Sequence, residues 1–201
     1  MPNPDPARRN ENSRRAVLTA TFDLLQELPY PRLTIEAIAT RAGVGKQTIY
    51  RWWPSKAAVL FDAFLLLSED SAAGQPQLPD TGDLRADLTL VLKATAAELN
   101  EPRLSEPMRA LATEIAHDAA LAQTYHERLD APLREAKRER LRSAQKSGEL
   151  ADDLDLDVAI DILWGPVLNR WLQHGGPLSD AYVEQLVRTA LAGMRPQITA
   201  G

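Results

Sequence analysis

The sequence predicts an all-α protein. Three observations lead there. The apolar mass is mostly Ala and Leu, both strong helix formers. Apolar positions recur at three- and four-residue spacing in segment after segment. No stretch sustains the alternation of a β-strand. With 201 residues, 44% of them hydrophobic, the chain can bury the core of one large domain or of a small one plus a medium one.

Taken in order, the first dozen residues are polar and Pro-rich and read as disordered. A helix is expected from about Ser13, with Leu18, Phe22, Leu25 and Leu28 at helical spacing, and Pro29-Tyr30-Pro31 ends it. Short helices follow to about Trp53, and a longer one runs from after Pro54 to about Leu67. The stretch SEDSAAGQPQLPDTGD is the candidate boundary, giving domains at 11–71 and 83–196. Beyond it, Leu84, Leu88, Val91, Leu92 and Leu99 share one helical face. Further helices are expected at about Ser105–His117 and Ala119–Ser147, the latter kinked or split by Pro132. Gly148 reads as its stop. Another spans about Leu156–Gln173, ended by Gly175-Gly176-Pro177. Ser179 caps the last, which ends near Gly193.

The informative stretch is LTIEAIATRAGVGKQTIYRWWPSK, Leu33 to Lys56. Thr34 is an N-cap, and Leu33 with Ile38 can form a hydrophobic staple. Ile35, Ile38, Ala39 and Ala42 make an apolar stripe. Gly43 permits a turn with positive φ, Val44 reads as a buried plug, and a second short helix starts at Gly45. The unit is a helix-turn-helix at about 34–53. On the second helix Lys46, Gln47, Tyr50 and Arg51 share one side, while Thr48 and Ile49 lean to the other. Gln can bond bidentately to adenine, Lys and Arg can reach guanine or phosphate, and a Tyr hydroxyl can donate to phosphate. Lys56 opens the next helix, where a cation opposes the helix dipole unless an anion lies between.

This segment resembles the DNA-binding domain of the TetR/AcrR family of bacterial regulators. The matching residues are Thr34, Ile38, Ala39, Ala42-Gly43-Val44, Thr48-Ile49-Tyr50, Trp53 and Ser55-Lys56, within roughly Ser13 to Leu67. The resemblance implies phosphate contacts for Tyr50, Trp52 and Lys56, with Lys46, Gln47 and Thr48 at or near base edges. Thr34, Gly45 and Arg51 complete the candidate DNA-binding set. Gly45 stands where Ser or Thr often caps, and Trp52 where Tyr is usual. By the helical wheel Trp52 falls near the buried side. The resemblance also implies a C-terminal helical domain that binds a small molecule and dimerises, with repression lifted by the effector.

Charge distribution agrees with a DNA-facing front. Met1 to Leu60 holds nine Lys+Arg against five Asp+Glu, and the remainder fourteen against twenty-three, so a net +4 precedes a net −9. Arg8, Arg9, Arg14 and Arg15 could form a minor-groove arm or a solvated basic tail. For an effector, the helices from Leu84 to Ser147, broken by Pro102, Pro107 and Pro132, are expected to enclose a largely apolar pocket lined by Leu88, Met108, Leu111, Ile115 and Tyr125, with solid core as the alternative. The helix from Leu156 is apolar nearly all round and so needs cover on several sides. Together with the last helix it supplies the candidate homodimer interface: Trp164, Val167, Leu168, Trp171, Tyr182, Leu186, Thr189 and Ala190.

Other chemistry is not indicated. There is no Cys, so no disulfide or thiolate metal site. His117, His126 and His174 lack metal-ligand spacing, and no metal or cofactor is expected. The acidic run 152–157 reads as a helix N-terminus, and the basic run from Arg134 to Lys146 as a solvated face. No phosphate loop, nucleophile elbow or paired carboxylates appear, so the chain is not expected to be an enzyme. The longest apolar runs are too short for a bilayer and the N-terminus has no apolar leader core, which leads to the expectation of a cytoplasmic protein. The partners expected are a double-stranded DNA operator, a second copy of the chain and a small-molecule effector, with no membrane. Two rival readings are a DNA-binding regulator controlled by a protein partner, and a helical enzyme or binding module whose N-terminal unit does not bind DNA. Salt-dependent DNA binding would exclude the second.

Overall fold

The computed structural model describes residues 6–71 and 76–196. They form ten α-helices and, among these residues, no strand. The chain divides into two compact units, Met1–Gly74 with Pro102–Tyr125, and Gln75–Glu101 with His126–Gly201.

In the first unit, α1 (Pro6–Glu27) leads through a 3₁₀ turn (Tyr30–Arg32) to α2 (Ile35–Ala42), α3 (Lys46–Tyr50) and α4 (Lys56–Ser71). The helix expected from Ser13 therefore starts earlier. Pro6 has the backbone angle of a first helical turn, Ala, Arg and Glu continue it, and Glu11 faces Arg14 at 3.7 Å one turn on. The side chains of Arg8 and Arg9 lie outside the described residues. Similarly, α4 outlasts the expected end at Leu67, and residues 72–75 of the expected linker lie outside the described residues. Val17, Leu18, Leu24 and Leu25 of α1 are buried, and α1 packs on α2 and α4. Helices α6 (Pro102–His117) and α7 (Ala119–Tyr125) complete this unit, α6 lying on α1, α4 and the 3₁₀ turn.

The second unit holds α5 (Leu84–Asn100), α8 (Ala131–Lys146), α9 (Leu156–Leu172) and α10 (Asp180–Met194). A π-helical segment, His126–Asp130, precedes α8. The break expected at Pro132 thus falls just before it. Proline offers no amide proton to the carbonyl four residues back, and the wider π register accommodates that. Asp83, Asp155 and Ser179 cap α5, α9 and α10 through their side chains. Asp157 also receives Arg138 at 2.7 Å and Arg134 at 3.1 Å, so the acidic run serves the start of α9 and the α8–α9 contact.

The basic run is not uniformly solvated. Arg140 is only 3% exposed. It donates to Asp87 from Nη2 at 2.8 Å and from Nε at 3.1 Å, and Nε also reaches the Pro79 carbonyl at 2.9 Å. Thr81 donates twice more to Asp87. The reason lies in the helix phase: Ala136, Arg140, Leu141 and Ala144 all turn inward on α8, and Asp87 waits opposite on α5. Burial alone would raise the Asp87 carboxyl, but the bonds from Thr81 and Arg140 hold it below the usual carboxylate range.

Candidate nucleic-acid interface

The helix-turn-helix forms for local reasons. Thr34 accepts the Ala37 amide at 3.1 Å and caps α2. Ile35, Ile38 and Ala39 are buried, as are the staple residues Leu33 and Ile38. Ala42 and Val44 are half-buried, so Val44 is less of a plug than its sequence position suggests. Gly43 ends α2 in the left-handed region, φ 68°, where only glycine sits without strain. The Val44 amide returns to the Ala39 carbonyl at 3.0 Å and closes the turn.

Gly45 then caps α3 without a side-chain bond. On this five-residue helix Ile49 is fully buried, and that single anchor decides what faces out. Lys46, Gln47, Tyr50 and Arg51 are exposed and Thr48 is half-buried. Tyr50 is 53% exposed. Lys46 forms an ion pair with Glu36 of α2, whose carboxyl is held below its usual range by that bond. Arg51 lies 5.0 Å from the Trp52 ring and bonds Asn10 of α1 at 3.4 Å. Trp52 is half-buried, edge-on to Trp53 at 5.4 Å.

Lys56 is placed differently from the rest. Its Nζ donates to the carbonyls of Tyr30 and Leu33, each at 3.0 Å, and lies 4.0 Å from the Tyr30 ring centroid. Burial lowers its pKa, partly offset by Glu114. These contacts tie the start of α4 to the residues just before the Thr34 cap. Lys56→Met is therefore expected to destabilise the fold by about 1.5–3 kcal/mol, the worth of a hydrogen bond to a charged group. Thermal unfolding checks this, and an unchanged Tm would show the two bonds to be incidental.

Sequence reasoning missed Glu36, Asn10 and Asp62, and it read Arg14 as part of a basic arm rather than as the partner of Asp62. Asp62 of α4 is 8% exposed and accepts the Trp53 indole N–H at 2.9 Å and Arg14 at 3.0 Å. An acid inside the apolar run VLFDAFLLL, nine residues after a tryptophan that needs an acceptor, was the available signal.

The remaining candidates fall as follows. Leu88 is in the core of the second unit, whereas Met108, Leu111, Ile115 and Tyr125 belong to the first. Leu111 is buried and the other three are half-buried, with the Tyr125 ring 5.7 Å from Phe61. An open cleft of about 990 Å³ in the first unit is lined by Tyr30, Lys56 and, from α6, by Pro107, Ala110 and Glu114, but not by those four. In the second unit Trp164, Val167, Trp171 and Ala190 are buried within their own chain, Tyr182 and Leu186 are half-buried, and Leu168 and Thr189 are exposed. Among the described residues no helix is long and apolar enough to cross a membrane.

Residues 17–63 match the family model described as bacterial regulatory proteins, tetR family, and residues 78–190 match the tetracyclin repressor-like C-terminal domain. The chain is 36% identical over 188 residues to the uncharacterised HTH-type transcriptional regulator YdeS of Bacillus subtilis, covering 93% of this chain and 92% of that protein. It is 30% identical over 186 residues to the DNA-binding transcriptional repressor TetR of Mycobacteroides abscessus, covering 91% and 94%. The crystal structure of the TetR family transcription regulator SCO0332 superposes with a TM-score of 0.71 at 38% identity, covering 92% of this chain and 99% of that one. A helix-turn-helix built on Thr34, Gly43 and Ile49, and these likenesses along nearly the whole chain, establish it as a member of the TetR family of transcriptional regulators.

Proposed function

We propose that the chain is a transcriptional repressor, not an enzyme, that works in the cytoplasm. It binds a palindromic operator as a homodimer and is released by a small-molecule effector. Residues 11–71 serve DNA and 83–196 serve the effector and the dimer. The observation that carries the reading is α3: one buried residue, Ile49, under a solvent-facing set of Lys46, Gln47, Tyr50 and Arg51. A helix this short has no stability of its own, so its outward face is free to be chosen for a ligand. Repression is supported by the name of the Mycobacteroides abscessus relative.

The dimer is supported by α9. Val158, Ile162, Leu168 and Leu172 are 41–50% exposed and fall on one side of the helix. Gly165 lies among them, with open space where a side chain would point. Such a stripe is suited to a two-fold partner.

The test is selection of bound duplexes from random DNA, followed by titration across salt. Half-sites should be separated by about 10 bp or a multiple, and affinity should fall steeply with salt. Gln47→Ala should alter base preference at one position at a cost of about 1–3 kcal/mol. Binding indifferent to both sequence and salt would sink the reading.

A further inference from the structure

We propose that Asp62 is a positioning residue of the DNA-reading helix: its buried carboxylate, holding Trp53 from α4 and met by Arg14 from α1, fixes how α3 presents Gln47 and Tyr50. This rests on the reading of α3 as the helix that contacts DNA.

A carboxylate inside an apolar helix is costly to bury, and a well-packed apolar residue of similar size usually serves stability as well or better. Asp62 is therefore poorly explained by stability alone. Its contacts suggest another use. Trp53 is 3% exposed and lies three residues beyond the end of α3, its amide bonded to the Ile49 carbonyl at 3.0 Å. Its indole has one donor, which needs an acceptor once buried. Asp62 Oδ2 supplies it at 2.9 Å, and the same oxygen takes the Arg14 guanidinium at 3.0 Å. Three elements thus meet at one atom: α1, α4 and the residue that ends the recognition segment.

Within α3 itself, Ile49 is the one buried side chain that fixes its rotation. A hydrogen bond from a planar indole is directional, and α3 has only five residues with which to resist rotation. With Ile49 as the anchor inside the helix, Trp53 is the anchor beyond its end. An error of about 1 Å at a recognition surface is enough to spoil its contacts.

Three full-length variants separate positioning from structural support. Asp62→Leu fills the site with apolar volume and deletes the acceptor. Trp53→Phe deletes the donor and keeps most of the ring. Asp62→Asn keeps an acceptor for Trp53. Each is compared with the wild type on the selected palindromic duplex and on a scrambled one, with Tm measured alongside. Asp62→Leu and Trp53→Phe should each lose about tenfold in affinity for the palindrome, about 1.4 kcal/mol, with little change on scrambled DNA. Asp62→Asn should retain most of the discrimination. Asp62→Leu and Trp53→Phe combined should lose little more than either alone, because both break one bond. Wild-type discrimination in a folded Asp62→Leu would overturn the proposal. Should that variant fail to fold, undiminished discrimination in Trp53→Phe would do so. Equal losses on both duplexes, tracking a fall in Tm, would show a merely structural role and overturn it too. A wild-type protein that binds neither duplex would instead overturn the DNA-binding reading on which it rests.

Discussion

A chain carrying Ile162→Glu and Leu168→Glu is expected to sediment as a folded monomer at micromolar concentration and to lose its operator. Both side chains are about half exposed, 44% and 45%, so the substitutions cost their own bundle little. Across a two-fold axis, however, the two substitutions would together place four carboxylates into the seam between the copies. Glu buried there without partners is strongly unfavourable. The effect on DNA follows from linkage. Two half-sites held by one dimer bind with an effective concentration that raises avidity by about 10²–10⁴, and a monomer forfeits it. Sedimentation and operator titration should therefore change together while the helical circular dichroism stays. Trp171, an attractive target from sequence, is a poor probe because it is buried in its own chain. A double variant that still sediments as a dimer would place the interface elsewhere.

The second large effect concerns Arg140. Arg140→Ala should destabilise the protein by about 3–5 kcal/mol near neutral pH, because Asp87 is left buried with its charge unmatched. The double variant Arg140→Ala/Asp87→Ala should recover part of that loss. The pH dependence has a definite sign. In the wild type the Asp87 carboxyl lies below its unfolded value of about 3.9. Its contribution is therefore full above that pH and is lost as pH falls through the lower folded value. Without Arg140, burial weighs more heavily and the carboxyl rises. The deficit of the variant should then be largest near neutrality and narrow in acid. Denaturant unfolding at several pH values measures it, and a deficit independent of pH would mean that Arg140 acts through packing alone.

The all-α class, the α2–α3 turn and the outward set on α3 were legible in the sequence, because each rests on neighbours along the chain. Thr34 caps the helix that begins at the next residue, Gly43 alone tolerates the φ of its turn, and Ile49 sets the rotation of the residues beside it. The cap at Ser179 belongs to the same local class. What only the tertiary structure decided involves residues far apart in sequence. Asp62 finds Arg14 across 48 positions and Arg140 finds Asp87 across 53. Lys56 donates two protons to carbonyls 26 and 23 residues earlier. The all-round apolar pattern of α9 announced several contacts without saying which side each would take. Packing settled that Trp164, Val167 and Trp171 turn inward and that Ile162 and Leu168 stay out. A helical period determines which residues share a face. Which face meets which neighbour depends on how whole helices assemble, and no local pattern encodes that.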